Sequence, residues 1–125
     1  MPTGNKAEEF VLNKLNHRQR KKYAIYPGQK GYDIRDANSS HFIEVKGTTK
    51  PHLSDIGFRY LTDEQFKKAR QCVREHKLYE VKIVVAVGTP EIHIAKTFTA
   101  SDCLDRITLE RRWRLSLRRE EILNN

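Results

Sequence analysis

At 125 residues, 38% hydrophobic and 32% charged, the chain can bury one core, so residues 1–125 are expected to form a single domain rather than two. Its net charge of +8, from 24 basic and 16 acidic residues, favours a polyanionic partner through counterion release. No run is long and apolar enough for a membrane span or a signal peptide, and Cys72 and Cys103 form no Cys-x-x-Cys pair, so no membrane association is expected and the expected compartment is the cytoplasm, or the nucleus in a eukaryote.

The first predicted element is a helix over residues 5–16, capped by Thr3 or Asn5, with Val11, Leu12 and Leu15 on one face. Glu8 lies three, four and seven residues before them, so it points to the interior side while Glu9 is rotated away. A carboxylate there is either a first-turn residue favoured by the helix dipole or part of a site. The block His17-Arg18-Gln19-Arg20-Lys21-Lys22 is either a solvated helix end or a patch that tracks phosphates. Tyr23-Ala24-Ile25-Tyr26 reads as a strand closed by Pro27-Gly28.

Two short period-two runs follow, 32–36 and 41–46, on either side of the turn-forming Ala37-Asn38-Ser39-Ser40. A β-hairpin in which Asp36 pairs with His41 has partner numbers that sum to 77. Asp33 then stands directly opposite Glu44, with Lys46 two residues on along the same face. Tyr32, Ile34, Ile43 and Val45 make the opposite, core face.

After a loop at 49–54, Ile56, Phe58 and Tyr60 alternate as a strand. Thr62-Asp63-Glu64-Gln65 has the form of a capping box and opens a helix to about His76, with Phe66, Ala69, Cys72 and Val73 inward. Lys67, Lys68, Arg70 and Arg74 are expected on its outer side, within reach of a phosphate backbone. Residues 78–87 read as a strand buried on both faces, 91–98 as its hairpin partner and 101–104 as a short helix. The odd-numbered alternation of Ile107, Leu109, Trp113, Leu115 and Leu117 argues for an edge strand at 112–117. The five histidines lack metal-ligand spacing and read as surface residues, and no Gly-rich phosphate loop or activated serine is visible.

Two carboxylates facing each other on a sheet repel, so the pair Asp33 and Glu44 asks for a compensating cation, and a hard divalent ion with oxygen ligands is the natural one. A Glu-x-Lys on an exposed strand is common by itself; here the matched Asp33 and the flanking Gly31-Tyr32 and Gly47 add weight. Asp33 with Glu44-Val45-Lys46 on a hairpin resembles the PD-(D/E)XK nuclease signature. The wording Gly31-Tyr32-Asp33-Ile34 and Ile43-Glu44-Val45-Lys46-Gly47 is similar to one branch of that superfamily, the NO VEIN C-terminal domains. Gly4-x-x-Ala7-Glu8-Glu9-x-Val11 resembles the opening helix of these and of Holliday-junction-resolvase-like domains, whose Glu faces the metal.

The resemblance covers Gly4 to about Val87 and implies an α/β, restriction-endonuclease-like αβββαβ core, a mixed sheet flanked by helices. It implies Mg²⁺ (with Mn²⁺ as a substitute) held by Asp33, Glu44, the Val45 carbonyl and Glu8. Lys46 would position the attacking water. The family's usual Thr-x-Asn-Glu ends here in Gln65, an accessory residue or only a helix cap. The expected activity is a metal-dependent endonuclease acting on nucleic acid, DNA foremost. Arg18, Arg20, Lys21, Lys67, Lys68 and Arg70 would contact phosphates, and the partners would include other parts of a defence or DNA-processing system. The alternatives are a nucleic-acid-binding module of the same fold without turnover, and a protein-interaction domain.

Overall fold

The computed structural model describes residues 3–19, 22–53, 61–105, 111 and 113–120. Helix α1 (Thr3–Gln19) is followed by strands β1 (Tyr23–Ile25), β2 (Ile34–Asp36) and β3 (His41–Gly47). Then come α2 (Asp63–Arg74), β4 (Leu78–Val85), β5 (His93–Thr99) and the short α3 (Ala100–Leu104). One five-stranded sheet runs in the order β1-β2-β3-β4-β5, antiparallel throughout except for the parallel pair β3 and β4. The parallel pair needs a crossover, and α2 lies on it. This is the expected αβββαβ order in an α/β fold with a mixed sheet between helices.

Each face of the sheet carries its own half of the core. On one side Ala7, Val11 and Leu15 of α1 pack on Tyr23, Ile34, Ile43, Val45 and Val84. On the other, Ala69 and Cys72 of α2 and Cys103 of α3 cover Phe42, Tyr79, Val81, Ile83, Val85 and Phe98. Both cysteines are buried free thiols. Among the described residues no helix is long and apolar enough to cross a membrane.

The apolar β-branched run placed β4 correctly, but only Ile83, Val84 and Val85 in succession are buried, and Ala86 turns left-handed (φ 55°) and ends the strand at Val85 rather than Val87. The inward stripe of α2 is Gln65, Ala69 and Cys72. Val73, expected to face inward, is 44% exposed. Lys68, expected on the outer side, is half-buried with its ammonium 3.9 Å from the centre of the Phe42 ring.

The largest departure is at the C-terminal end, where 113–120 is helical, not an edge strand. Trp113 and Leu117 both pack on the α2-side core, and the Trp113 and Phe98 rings are 6.3 Å apart. Positions 113 and 117 share a face in either a strand or a helix, so only Leu115 tells the two apart. It is 54% exposed, as helical spacing requires. The expected strand at Ile56–Tyr60 and the residues Ile107 and Leu109 lie outside the described residues.

Gly31 joins the hairpin to α2. Its φ is +88°, and a Cβ built there would stand 2.5 Å from the Glu64 carbonyl oxygen and 2.8 Å from the Lys68 Cβ. The Gly31 carbonyl also accepts a hydrogen bond from the buried Tyr79 hydroxyl at 2.8 Å. Gly31→Ala combines left-handed strain with overpacking against backbone, so a loss of about 2–5 kcal/mol is expected in urea unfolding. A loss below about 0.5 kcal/mol would show that the helix shifts freely away from the hairpin.

Candidate active site

The hairpin keeps the expected register in its ladder, since Ile34 pairs with Ile43 and Arg35 with Phe42, each summing to 77. Asp36 holds the turn. Its carboxylate accepts from the Ser40 amide (2.7 Å), the His41 amide (3.0 Å) and the Ser40 hydroxyl. Burial pushes this carboxyl up, but those hydrogen bonds outweigh it and hold Asp36 below the usual range.

Asp33 does not continue that ladder. Its amide donates to the Ile43 carbonyl (2.8 Å) although Ile43 already pairs with Ile34. Two residues of one strand thus stand against one of the other, as in a β-bulge. Asp33 is therefore not directly opposite Glu44, and the inversion carries Tyr32 to the face opposite the one expected. Tyr32 packs edge-to-face on Phe42, with ring centres 4.9 Å apart, instead of joining Ile34, Ile43 and Val45. A one-residue slip reverses every side chain beyond it.

The bulge re-aims the Asp33 carboxylate rather than removing it. Its Oδ2 accepts from the Val45 amide at 2.8 Å, and its side chain is hydrogen-bonded to both Glu8 of α1 and Glu44 of β3. In an extended strand the N–H and C=O of one residue point the same way, so the Val45 carbonyl also lies on the Asp33 side of β3. Glu44 is 9% exposed, whereas Glu8 and Asp33 are half-buried and line one cleft of about 440 Å³ with Asn5, Tyr26 and Pro27. Asp33 of the bulge thus lies next to Glu8 of α1 and next to Glu44 of β3.

Their electrostatics follow from that crowding. Burial raises Glu44, and the adjacent Asp33 charge and hydrogen bond raise it further, to about 8. Lys46, half-buried and two residues along β3, and a hydrogen bond from Gln65 act in the opposite sense on Glu44. Glu8 is raised to about 7 by burial and then by Asp33. Ionised carboxylates this close repel, so both glutamates favour their neutral form.

Among the described residues no three acidic, histidine or cysteine side chains are spread into a ready cation cage. The donors are nonetheless all hard oxygens, and the raised proton affinity of Glu8 and Glu44 is in part a response to the neighbouring Asp33 charge, which a cation would also offset. That chemistry fits Mg²⁺ or Mn²⁺.

Gln65 has two tasks. Its Oε1 accepts from the Thr62 amide (3.1 Å), its own amide donates to Thr62 Oγ1 (3.2 Å), and its side chain also reaches Glu44. A glutamine can both accept at the cap and donate to a carboxyl group, which a carboxylate cannot do.

The basic residues are not all brought to the carboxylates. Arg18 lies in the last turn of α1, ten residues and so about 15 Å along the helix from Glu8. There its charge complements the helix dipole. Arg20 and Lys21 lie outside the described residues. Lys67 and Arg70 are exposed on α2 beside Lys68 and line a separate groove.

His41 is a correction and an addition. It is buried rather than on the surface, with Nδ1 2.8 Å from the Tyr23 hydroxyl and Nε2 2.5 Å from Glu80, whose carboxylate is 3.7 Å from Lys82. A single polar residue opening a strand looks alike whether solvated or tied into such a chain. Only the pairing of β3 with β4 brings Glu80 to it.

Compared with known proteins, the chain matches the profile of the family described as "Protein NO VEIN, C-terminal" over residues 7–95, which spans α1 to the start of β5. No curated protein and no solved structure gives a significant match.

Proposed function

The chain belongs to the NO VEIN C-terminal family, and on that premise we propose that it is a divalent-metal-dependent nuclease of the PD-(D/E)XK kind, acting on nucleic acid and on DNA foremost. The observation that carries this reading is Asp33, set by a bulge between Glu8 and Glu44, with Lys46 two residues further on. Fold alone would not support it. Two glutamates with raised proton affinity beside Asp33 at the edge of a cleft would, because such crowding lowers stability unless it serves a charge that arrives.

Asp33, Glu44, Glu8 and the Val45 carbonyl would hold Mg²⁺ or Mn²⁺. Bound there, the ion supplies a Lewis acid for a phosphoryl oxygen and makes water a stronger acid. Lys46 places a positive charge next to Glu44, where it can orient the attacking water and stabilise charge that develops on the phosphate. Gln65 donates to Glu44 and keeps its carboxylate aimed at the cluster. Tyr79 and Gly31 brace the hairpin against α2, so the carboxylates keep their spacing.

The test is cleavage of plasmid DNA, a branched junction and RNA by the purified chain, with and without Mg²⁺ or Mn²⁺. Metal-dependent cutting that Asp33→Asn abolishes is the expected result. Tight binding with no cutting under any divalent ion would make the chain a binding module. Absence of both would favour a protein-interaction domain.

A further inference from the structure

A second concavity, a groove of about 700 Å³, lies between α2 and the 28–32 segment. Lys30, Lys67, Lys68, Arg70 and Arg74 line it, and so does Tyr32. Two acids also line it, Glu64 and Glu75, and Glu75 is engaged by Lys77 at 3.1 Å. We propose that this groove binds one unpaired strand of nucleic acid, its phosphates following the α2 cations and a base stacking on Tyr32, so that the substrate of the carboxylate cleft reaches it single-stranded. This rests on the nuclease reading and specifies its substrate.

Three features support the assignment. The first is charge: five cations against one unengaged acid suit a polyanion, and Lys67, Arg70, Arg74 and Lys30 are all exposed. The second is the aromatic ring. Tyr32 is half-buried, and its edge-to-face contact with Phe42 and the Lys68 ammonium 5.1 Å away set its angle. A cationic groove with a pre-set ring is the arrangement that grips single strands, since every unpaired base offers a face to stack. A duplex keeps those faces stacked inside itself, and the ring would have no partner.

The third feature is continuity. Gly28 lines both this groove and the cleft of Glu8 and Asp33. Consecutive residues Tyr32 and Asp33 open to different sides, Tyr32 to the groove and Asp33 to the cleft. Apart from its chain neighbours, nothing lies within 4 Å of the place where a Gly28 Cβ would sit, so no side chain from another element covers that shared residue. A strand lying along α2 can pass over Gly28 to the carboxylates.

The experiment is fluorescence anisotropy in chelator, with labelled single-stranded DNA, single-stranded RNA and a duplex of equal length. The expected result is at least about tenfold tighter binding of one of the single strands than of the duplex. Tyr32→Leu should weaken single-strand binding by about 5- to 150-fold with the salt slope unchanged, and Tyr32→Phe should restore it. Lys67→Ala with Arg74→Ala, both exposed, should flatten the slope by about 0.7 for each phosphate no longer neutralised. Equal or tighter duplex binding, a folded Tyr32→Leu protein with wild-type affinity, or equally tight binding of polyglutamate would overturn the proposal. If Tyr32→Leu does not fold, the strand-to-duplex ratio and the α2 double variant decide. Because chelator prevents metal-dependent turnover, a failure here is distinct from a failure to cleave.

Discussion

Lys46→Ala is expected to lower turnover by about 10² or more while leaving nucleic-acid affinity within a few-fold, the scale of removing one electrostatic stabiliser. The reason lies in its position. Lys46 is half-buried on the same face of β3 as Glu44 and acts on that carboxyl group's charge. Lys67 and Arg70, by contrast, are exposed on α2 and line the groove, where each would neutralise a phosphate in a salt-dependent way. Lys67→Ala should lower affinity for all sequences alike and leave the rate of the bound complex near wild type. Single-turnover rates and binding isotherms measured on the same substrate separate the two. If Lys46→Ala loses affinity as much as rate, it is one more phosphate-binding cation.

The metal-free protein is expected to lose stability as pH rises from about 4.5 to 8, the reverse of the common acid loss. Glu8 and Glu44 are raised from 4.5 to about 7 and about 8, so the folded state keeps protons that the unfolded chain gives up. Their contribution is fully present below the unfolded value and is lost as pH climbs through the folded ones. The larger part comes from the more deeply buried Glu44, and the smaller part from the more exposed Glu8. Asp36 has the opposite sign: held low, it adds stability above its unfolded value that vanishes in acid.

Glu44→Gln should therefore flatten the alkaline decline and make the chelated protein more stable above pH 8. Mg²⁺ should raise the melting temperature of the wild type, because a ligand of the folded state stabilises by mass action, and Glu44→Gln should abolish that rise. The ion displaces protons, so its affinity should increase with pH over the same window. An equal response to Mg²⁺ in wild type and variant would place the ion elsewhere.

Local chemistry was enough to determine most of the elements up to α3. The Thr62–Gln65 cap and the turn at 37–40 satisfy their backbone groups within a few residues, the alternation in 41–46 and the apolar β-branched run at 78–85 mark strands, and the structure repeats them. The hairpin register followed as well, since a slip of one residue would turn Ile34 and Ile43 out of the core. Glu8 was legible as an acid on a buried face for the same reason of period.

Tertiary packing decided what periodicity leaves degenerate. Trp113 and Leu117 are compatible with either period, and their helix is chosen by the core of α2, α3 and Phe98 on which both settle. His41 is buried because β4 brings Glu80 beside it. The Asp33 bulge has no pattern of its own in the residues, because an extra residue in a ladder costs only local pairing and is set by what its side chain then meets. Here that is Val45, Glu8 and Glu44. The chemistry of the candidate site was therefore carried by residue type, and its geometry by the meeting of three elements that no local rule determines.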